Sequence, residues 1–215
     1  MEDGTNGAAV DHRERRIDIA SALLLSVATV LAAWSAFQSA KWGGEQATAY
    51  AEASALRQES VRNSTLAGQQ TIVDVSVFEQ FIDAYAAGDR ELQDFYRERA
   101  REEFRPALDA WIALAGEDLE TAPATPFAMP EYELASTVES ERLQRQAESR
   151  FQDALDNNQR SDNYVLIAVL FASVLLFAGL APKSRTYPIQ ATMIVMAVVV
   201  LVVGLGFLLA FPKTL

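Results

Sequence analysis

NYVLIAVLFASVLLFAGLAPKSRTYPIQATMIVMAVVVLVVGLGFLLAFP, running from Asn163 to Pro212, decides the fold. It holds only two charged residues, Lys183 and Arg185, and both stand in a short turn bracketed by Pro182 and Pro188. On either side lie charge-free runs of 20 residues (Asn163–Pro182) and 27 residues (Thr186–Pro212). Each is long enough as a helix to cross a hydrocarbon core of roughly 30 Å. The valines of the second run do not make it a strand, because an open sheet edge in lipid would leave backbone groups without partners. We read transmembrane helices at 163–182 and 189–211, a basic turn at 183–188 and a C-terminal end at 212–215.

Working outward, a third charge-free run appears at Ile19–Ala40, IASALLLSVATVLAAWSAFQSA. It follows the cluster His12-Arg13-Glu14-Arg15-Arg16, as a secretory signal would. Against cleavage, the apolar run exceeds a usual h-region and Trp34 stands where a small residue is required. The reading is therefore a flexible cytoplasmic tail at 1–16 and transmembrane helix 1 at 17–40, with Trp34, Phe37 and Trp42 suited to the interfacial aromatic belt.

Between these spans lies a helical extramembrane domain, 41–162, of ordinary domain size. Gly43-Gly44 predicts a kink, after which Glu45–Ala87 reads as one helix rich in Ala, Gln and Glu. Ile72, Val75, Phe78, Ile82 and Tyr85, widened by Val73, Val77 and Phe81, form an apolar stripe expected to be buried. Gly88-Asp89 stops that helix and starts another, marked by Leu92, Phe95, Phe104, Leu108, Trp111 and Ile112 and restarting near Pro106. Ala115–Pro130, with three prolines, reads as a loop. From about Glu131 a polar helix returns with the stripe Leu134, Val138, Ala147, Phe151, Ala154 and Leu155. No helix breaker stands between Glu139 and Tyr164, so it is expected to run directly into the second span. The fold class is all-α: an integral membrane protein with three transmembrane helices and a long-helix, coiled-coil-like extramembrane bundle.

Arg13, Arg15 and Arg16 before the first span, and Lys183 and Arg185 between the second and third, fall on one side of a three-span protein. The positive-inside rule puts that side in the cytoplasm. Lys41, Arg160 and Lys213 weigh less at the opposite ends, so residues 41–162 and the C-terminus are expected outside a bacterial inner membrane.

Composition narrows the function. There are 18 basic and 29 acidic residues, a formal charge of −11, which excludes the basic footprint needed for nucleic acid. Twelve basic and 24 acidic residues fall between Gln38 and Asp162, so the acidity belongs to the middle segment. Absence of cysteine removes disulfides, thiol nucleophiles and thiolate metal sites, and a lone histidine leaves no zinc site built on nitrogen ligands. No catalytic residue, cofactor or metal is expected: Ser-His and Cys-His pairs, G-x-x-x-x-G-K and HExxH are all missing. Glu98, Glu102 and Glu103 could supply acid/base chemistry, but they alternate with Arg97, Arg99, Arg101 and Arg105 in the pattern of an ion-paired helix face.

Ala28, Ala32, Ala36 and Ala40 recur every fourth residue in span one and are the candidate helix-packing face. Ser21, Ser26, Thr29, Ser35 and Gln38 in the same span are the candidate pore lining. Three charge-free spans enclose little by themselves, so a pore would need a homo-oligomer. The expected partners are the lipid bilayer and a second copy or another membrane protein. The leading expectation is a non-enzymatic, membrane-anchored scaffold, accessory subunit or assembly module; the alternative is a homo-oligomeric channel or transporter component lined by span one.

The segments AWSAFQSAKWGGEQATAYAEASALR, TLAGQQTIVDVSVF, PFAMPEY and NQRSDNYVLIAVLFASVLLFAG resemble an uncharacterised family of bacterial integral membrane proteins. The resemblance covers most of Ala33–Gly179. It implies one N-terminal span, a helical middle and a C-terminal hairpin, and it carries no activity.

Overall fold

The computed structural model describes residues 3–117, 123–184 and 186–213, with side chains from Arg15 onward. Five α-helices follow one another: α1 (Asp3–Ala87), α2 (Arg90–Arg99), α3 (Arg105–Glu117), α4 (Ala135–Leu180) and α5 (Tyr187–Ala210). Short 3₁₀ turns lie at Pro126–Ala128 and Ala181–Lys183, and no strand occurs among the described residues. Three helices contain stretches long and apolar enough to cross a membrane: Arg15–Ala87, Ala135–Lys183 and Tyr187–Ala210. Arg185 and the side chains of His12 and Arg13 lie outside the described residues.

The backbone of α1 is helical from Asp3, where composition reads as a tail, and its helical assignment continues through Gly43-Gly44. Helix α4 runs without interruption from Ala135 to Leu180, as the lack of breakers requires.

The chain divides into two compact units, residues 1–50 with 152–215 and residues 51–151. In the first, Leu24 and Ala28 of α1 pack with Val174 and Ala178 of α4 and Ala197 of α5. A second cluster gathers Trp42, Tyr164, Ile167, Phe171 and Leu208. Gly204 of α5 is pressed on Phe171: a Cβ there would stand 2.9 Å from the ring. Ser39 and Ser161 meet hydroxyl to hydroxyl at 3.1 Å, and the Ser161 hydroxyl also donates to the Ser39 carbonyl at 3.0 Å. Gly43 opens the space beside them, its Cβ position 3.8 Å from Ser161 Oγ. The tyrosine hydroxyl of Tyr164 donates to the Pro212 carbonyl at 2.9 Å.

In the second unit, α1 and α4 run antiparallel. Arg150 pairs with Glu52 at 3.2 Å, the Ser60 hydroxyl donates to the Ser140 carbonyl at 2.9 Å, and the Ser136 hydroxyl donates to Gln70 Oε1 at 2.6 Å. Gly88, at φ +71°, ends the long helix in the left-handed region that suits glycine. The Asp89 carboxylate then caps α2, accepting from the Leu92 amide at 3.1 Å. Helix α3 restarts at Arg105 with Pro106 in its first turn, where no amide is needed. Phe78 and Phe81 of α1 bury themselves with Phe104, Leu108 and Trp111, and Phe127 and Tyr132 pack on the cluster. The Trp111 indole N–H donates to the Pro123 carbonyl at 2.7 Å.

The apolar stripes are corrected in part. On α1, Phe78 and Phe81 are buried, but Ile72 is 68% exposed and Val73 51%. Helix α2 buries no residue, so Leu92 and Phe95 face outward. On α4, Leu134, Ala147 and Ala154 are buried, whereas Val138 and Leu155 are exposed.

Candidate functional site

The chemically distinctive place in the second unit is one that no stripe of the sequence marks: Asp74, which is fully buried. It stands seven residues beyond Ala67 and seven before Phe81, both buried, on the line that continues back through Ser60 and Ala53. Helical periodicity thus carries a carboxylate inward at a position where the line elsewhere holds Ala, Ser or Phe.

Its Oδ2 accepts from the Tyr132 hydroxyl at 3.1 Å and from the Arg101 guanidinium at 3.3 Å. Oδ1 is buried without a hydrogen-bond partner. Burial pushes the Asp74 carboxyl above its ordinary range, against the opposing pull of Arg101 and Tyr132. The Tyr132 hydroxyl also lies 3.2 Å from Thr71 Oγ1, whose own hydrogen goes to the Ala67 carbonyl at 3.0 Å. Burial raises the Tyr132 pKa, and the charge of Asp74 adds to it.

Arg101 belongs to the link between α2 and α3 and grips two carboxylates, Asp74 and Glu103. Glu103 in turn accepts from the Ala135 amide at 3.1 Å, so it caps the start of α4. Arg101 and this amide hold the Glu103 carboxyl below its ordinary range. Four parts of the unit therefore meet at one polar cluster: α1 through Asp74 and Thr71, the α2–α3 link through Arg101 and Glu103, the segment before α4 through Tyr132, and the N-terminus of α4.

The other carboxylates of the arginine-rich stretch do not join it. Glu98 lines an exposed hollow with Asp94, Arg97 and Arg105, and Arg97 is held by Asp109 at 2.5 Å. Glu102 is exposed. Glu103 alone of the three acidic candidates turns inward, and it is committed to Arg101 and a backbone amide. Among the described residues no group of His, Cys, Asp and Glu is arranged to hold a metal ion.

In the first unit the span-one candidates separate. Ser21, Ser35 and Gln38 are buried within the bundle, while Ser26 and Thr29 face outward. Ser26, Thr29 and Ser35 each donate to the carbonyl four residues back, at 2.8, 2.7 and 2.8 Å. The five hydroxyl and amide groups therefore do not share one face of a single chain. The alanines separate as well: Ala28 is fully buried, Ala32 half-buried, and Ala36 and Ala40 exposed.

Sequence reasoning missed Asp74 because it followed the apolar residues on either side of it, and a carboxylate carries no apolar signal. Two signals mark it: its seven-residue step from Ala67 and to Phe81, and the tyrosine of PFAMPEY, which the fold brings to it. No protein-family model, curated protein or solved structure matches this chain.

Proposed function

We propose that this chain is a multi-pass protein of a bacterial inner membrane whose second unit acts as a non-enzymatic scaffold or assembly module. The observation that carries this reading is the use of the polar groups gathered around buried Asp74. Arg101, Glu103, Tyr132 and Ser136 each bond another segment of the same unit, so the cluster ties helices together.

Three apolar helices support insertion in the bilayer. The exposed pair Trp34 and Phe37, ring centroids 5.7 Å apart, fits the outer headgroup layer. The positive-inside rule, applied to Arg13, Arg15, Arg16, Lys183 and Arg185, supports a cytoplasmic N-terminus and α4–α5 turn, with residues 41–162 and the C-terminus outside. The seven-residue spacing of buried positions, Ser21, Ala28, Ser35, Trp42 and Ala49 on α1 and Ala197 and Gly204 on α5, supports coiled-coil packing.

Single-cysteine labelling tests both parts. In intact spheroplasts a membrane-impermeant maleimide should label Gln144→Cys and leave Ser184→Cys unlabelled until the membrane is opened. The reverse pattern overturns the orientation, and reproducible turnover of any substrate by the purified protein overturns the scaffold reading.

A further inference from the structure

From Asn63 to Phe78 the outward side of α1 carries no charge; Asp74, the only ionisable residue in that stretch, lies on the buried side. Sixteen residues of helix extend for about 24 Å. The row opposite the buried line is Thr65, Gln69, Ile72 and Ser76, spaced at i, i+4, i+7 and i+11 and flanked by Leu66 and Val73. Ile72, Val73 and Leu66 are 68%, 51% and 46% exposed. The hydroxyls of Thr65 and Ser76 are already given to the Val61 and Ile72 carbonyls, at 2.9 and 3.1 Å. They ask nothing of a neighbour and present carbon outward. Gly68 stands at the edge of this row, and a Cβ there would meet nothing within 4 Å. Packing within the chain does not call for glycine at a helix position where alanine is preferred.

Charge selects the occupant. Residues 51–151 hold 10 basic and 20 acidic side chains. A two-fold contact sets the same patch of both copies face to face, so a patch of one net sign repels itself. Within a Debye length of about 8 Å that repulsion acts across most of so acidic a surface. An unlike partner can match a face of one net sign with the opposite sign, but an identical copy brings the same net sign to the contact. The charge-free row of α1 is suited to self-contact, and Gln69 set against its own counterpart could hydrogen-bond and fix the register.

We infer that the Thr65–Ser76 face of α1 is the contact between two copies of this chain. The inference rests on the reading of the chain as a membrane-anchored assembly module, since anchoring confines copies to one layer and raises their effective concentration.

The chain has no cysteine, so single thiols can be placed at will. Gln69→Cys and Ile72→Cys sit on the face, and Gln144→Cys sits on the exposed side of α4 as the control. Under mild oxidation in native membranes, the two face variants should form disulfide-linked dimers several-fold more completely than the control. Adding Gly68→Leu to Ile72→Cys should lower the dimer yield several-fold without changing the amount of protein in the membrane. Equal yields at all three positions, or none, overturn the inference. A bifunctional thiol reagent that links the face to a different protein also overturns it, while leaving the assembly reading standing. Failure of membrane anchoring would appear separately, as loss of the protein from the membrane pellet after alkaline extraction.

Discussion

Replacing Asp74 by alanine and by asparagine should have unlike consequences, and the difference measures what the buried carboxylate does. Asp74→Ala strips the acceptor from the Tyr132 hydroxyl and one of two acceptors from Arg101, and empties the space of a carboxyl group. Breaking a fully buried ion pair costs roughly 3–5 kcal/mol. Arg101 is 23% exposed and keeps Glu103, so water and the second carboxylate soften the loss to about 2–3 kcal/mol. Asp74→Asn keeps an acceptor oxygen in the place of Oδ2 and removes the charge that burial penalises. Its amide nitrogen takes the position of Oδ1, which has no partner to lose. Burial penalises the charged carboxylate more than Arg101 and Tyr132 repay it, so a neutral group of the same shape that keeps the Tyr132 acceptor should cost less than alanine, about 1 kcal/mol at pH 7. Hydrogen exchange of the nanodisc-embedded protein, followed in peptides covering 67–84 and 100–112, reads this directly. The alanine variant should exchange there about 30- to 150-fold faster at 1.4 kcal/mol per tenfold, the asparagine variant less than about tenfold. With the folded pKa raised, the parent gains stability relative to Asp74→Asn as pH falls toward 3.8 and loses it as pH rises through the folded value. If asparagine proves as damaging as alanine at neutral pH, the Arg101 attraction outweighs burial and the reasoning fails.

Glu103→Gln should show the opposite pH course. Its folded pKa lies below the ordinary 4.5, so Glu103 contributes stability above that value and loses the contribution as pH falls through the folded one. Exchange at the first turn of α4 should therefore be faster in the variant at pH 7 and converge with the parent in acid. Gly88→Ala forces a side chain into φ +71°, and the α1–α2 junction should lose about 1 kcal/mol, read as faster exchange at Tyr85–Leu92. Gly204→Ala sets a methyl 2.9 Å from the Phe171 ring, so thermal unfolding in detergent should shift downward and the double variant with Phe171→Leu should recover most of the shift.

The helices were legible because their signals are local. Gly88-Asp89, Pro106 and the unbroken stretch after Glu139 mark stops, restarts and continuity in the backbone's own terms, and the structure follows each of them. Which face turns inward was legible only in part. The buried line of α1 in the second unit is Ala53, Ser60, Ala67, Asp74 and Phe81, residues with no common hydrophobicity, so a search for apolar stripes passes over it and selects Ile72 and Val73 instead. A two-helix contact held by small residues needs close approach more than apolar bulk. The polar cluster was hidden for a different reason: Asp74 and Arg101 are 27 residues apart, and Asp74 and Tyr132 are 58 apart. Nothing in either neighbourhood says that they meet. Arg101 and Glu103 read as part of an ion-paired helix face, whereas Arg101 reaches Asp74 and even the exposed Arg97 finds its partner outside that run, at Asp109 on α3.

In the first unit the same lesson becomes a test of what drives packing. The membrane-length stretches of the three helices are apolar on every side, so in the bilayer proposed for them burying one face against another gains little over burying it in lipid. The buried positions set small residues, Ala28, Ser35, Ala178, Ala197 and Gly204, beside large ones such as Tyr164, Phe171 and Val174 that fill against them, while Leu23, Val30, Leu166 and Val202 face outward. If close approach is the driving term, enlargement should hurt even where it adds hydrophobicity. Ala197→Leu, fully buried beside Leu24, Ala28 and Val174, should lower the unfolding temperature in detergent, by an overpacking cost of about 1–3 kcal/mol. Ser35→Ala should be nearly neutral although it removes a buried hydroxyl, because that hydroxyl bonds only its own helix at the Leu31 carbonyl and alanine is the better helix former. The outward Val30→Leu serves as the control for added bulk without a neighbour. Should Ala197→Leu stabilise the bundle, its interior would have to be looser than Gly204 against Phe171 implies, and hydrophobic gain would have to outrank fit.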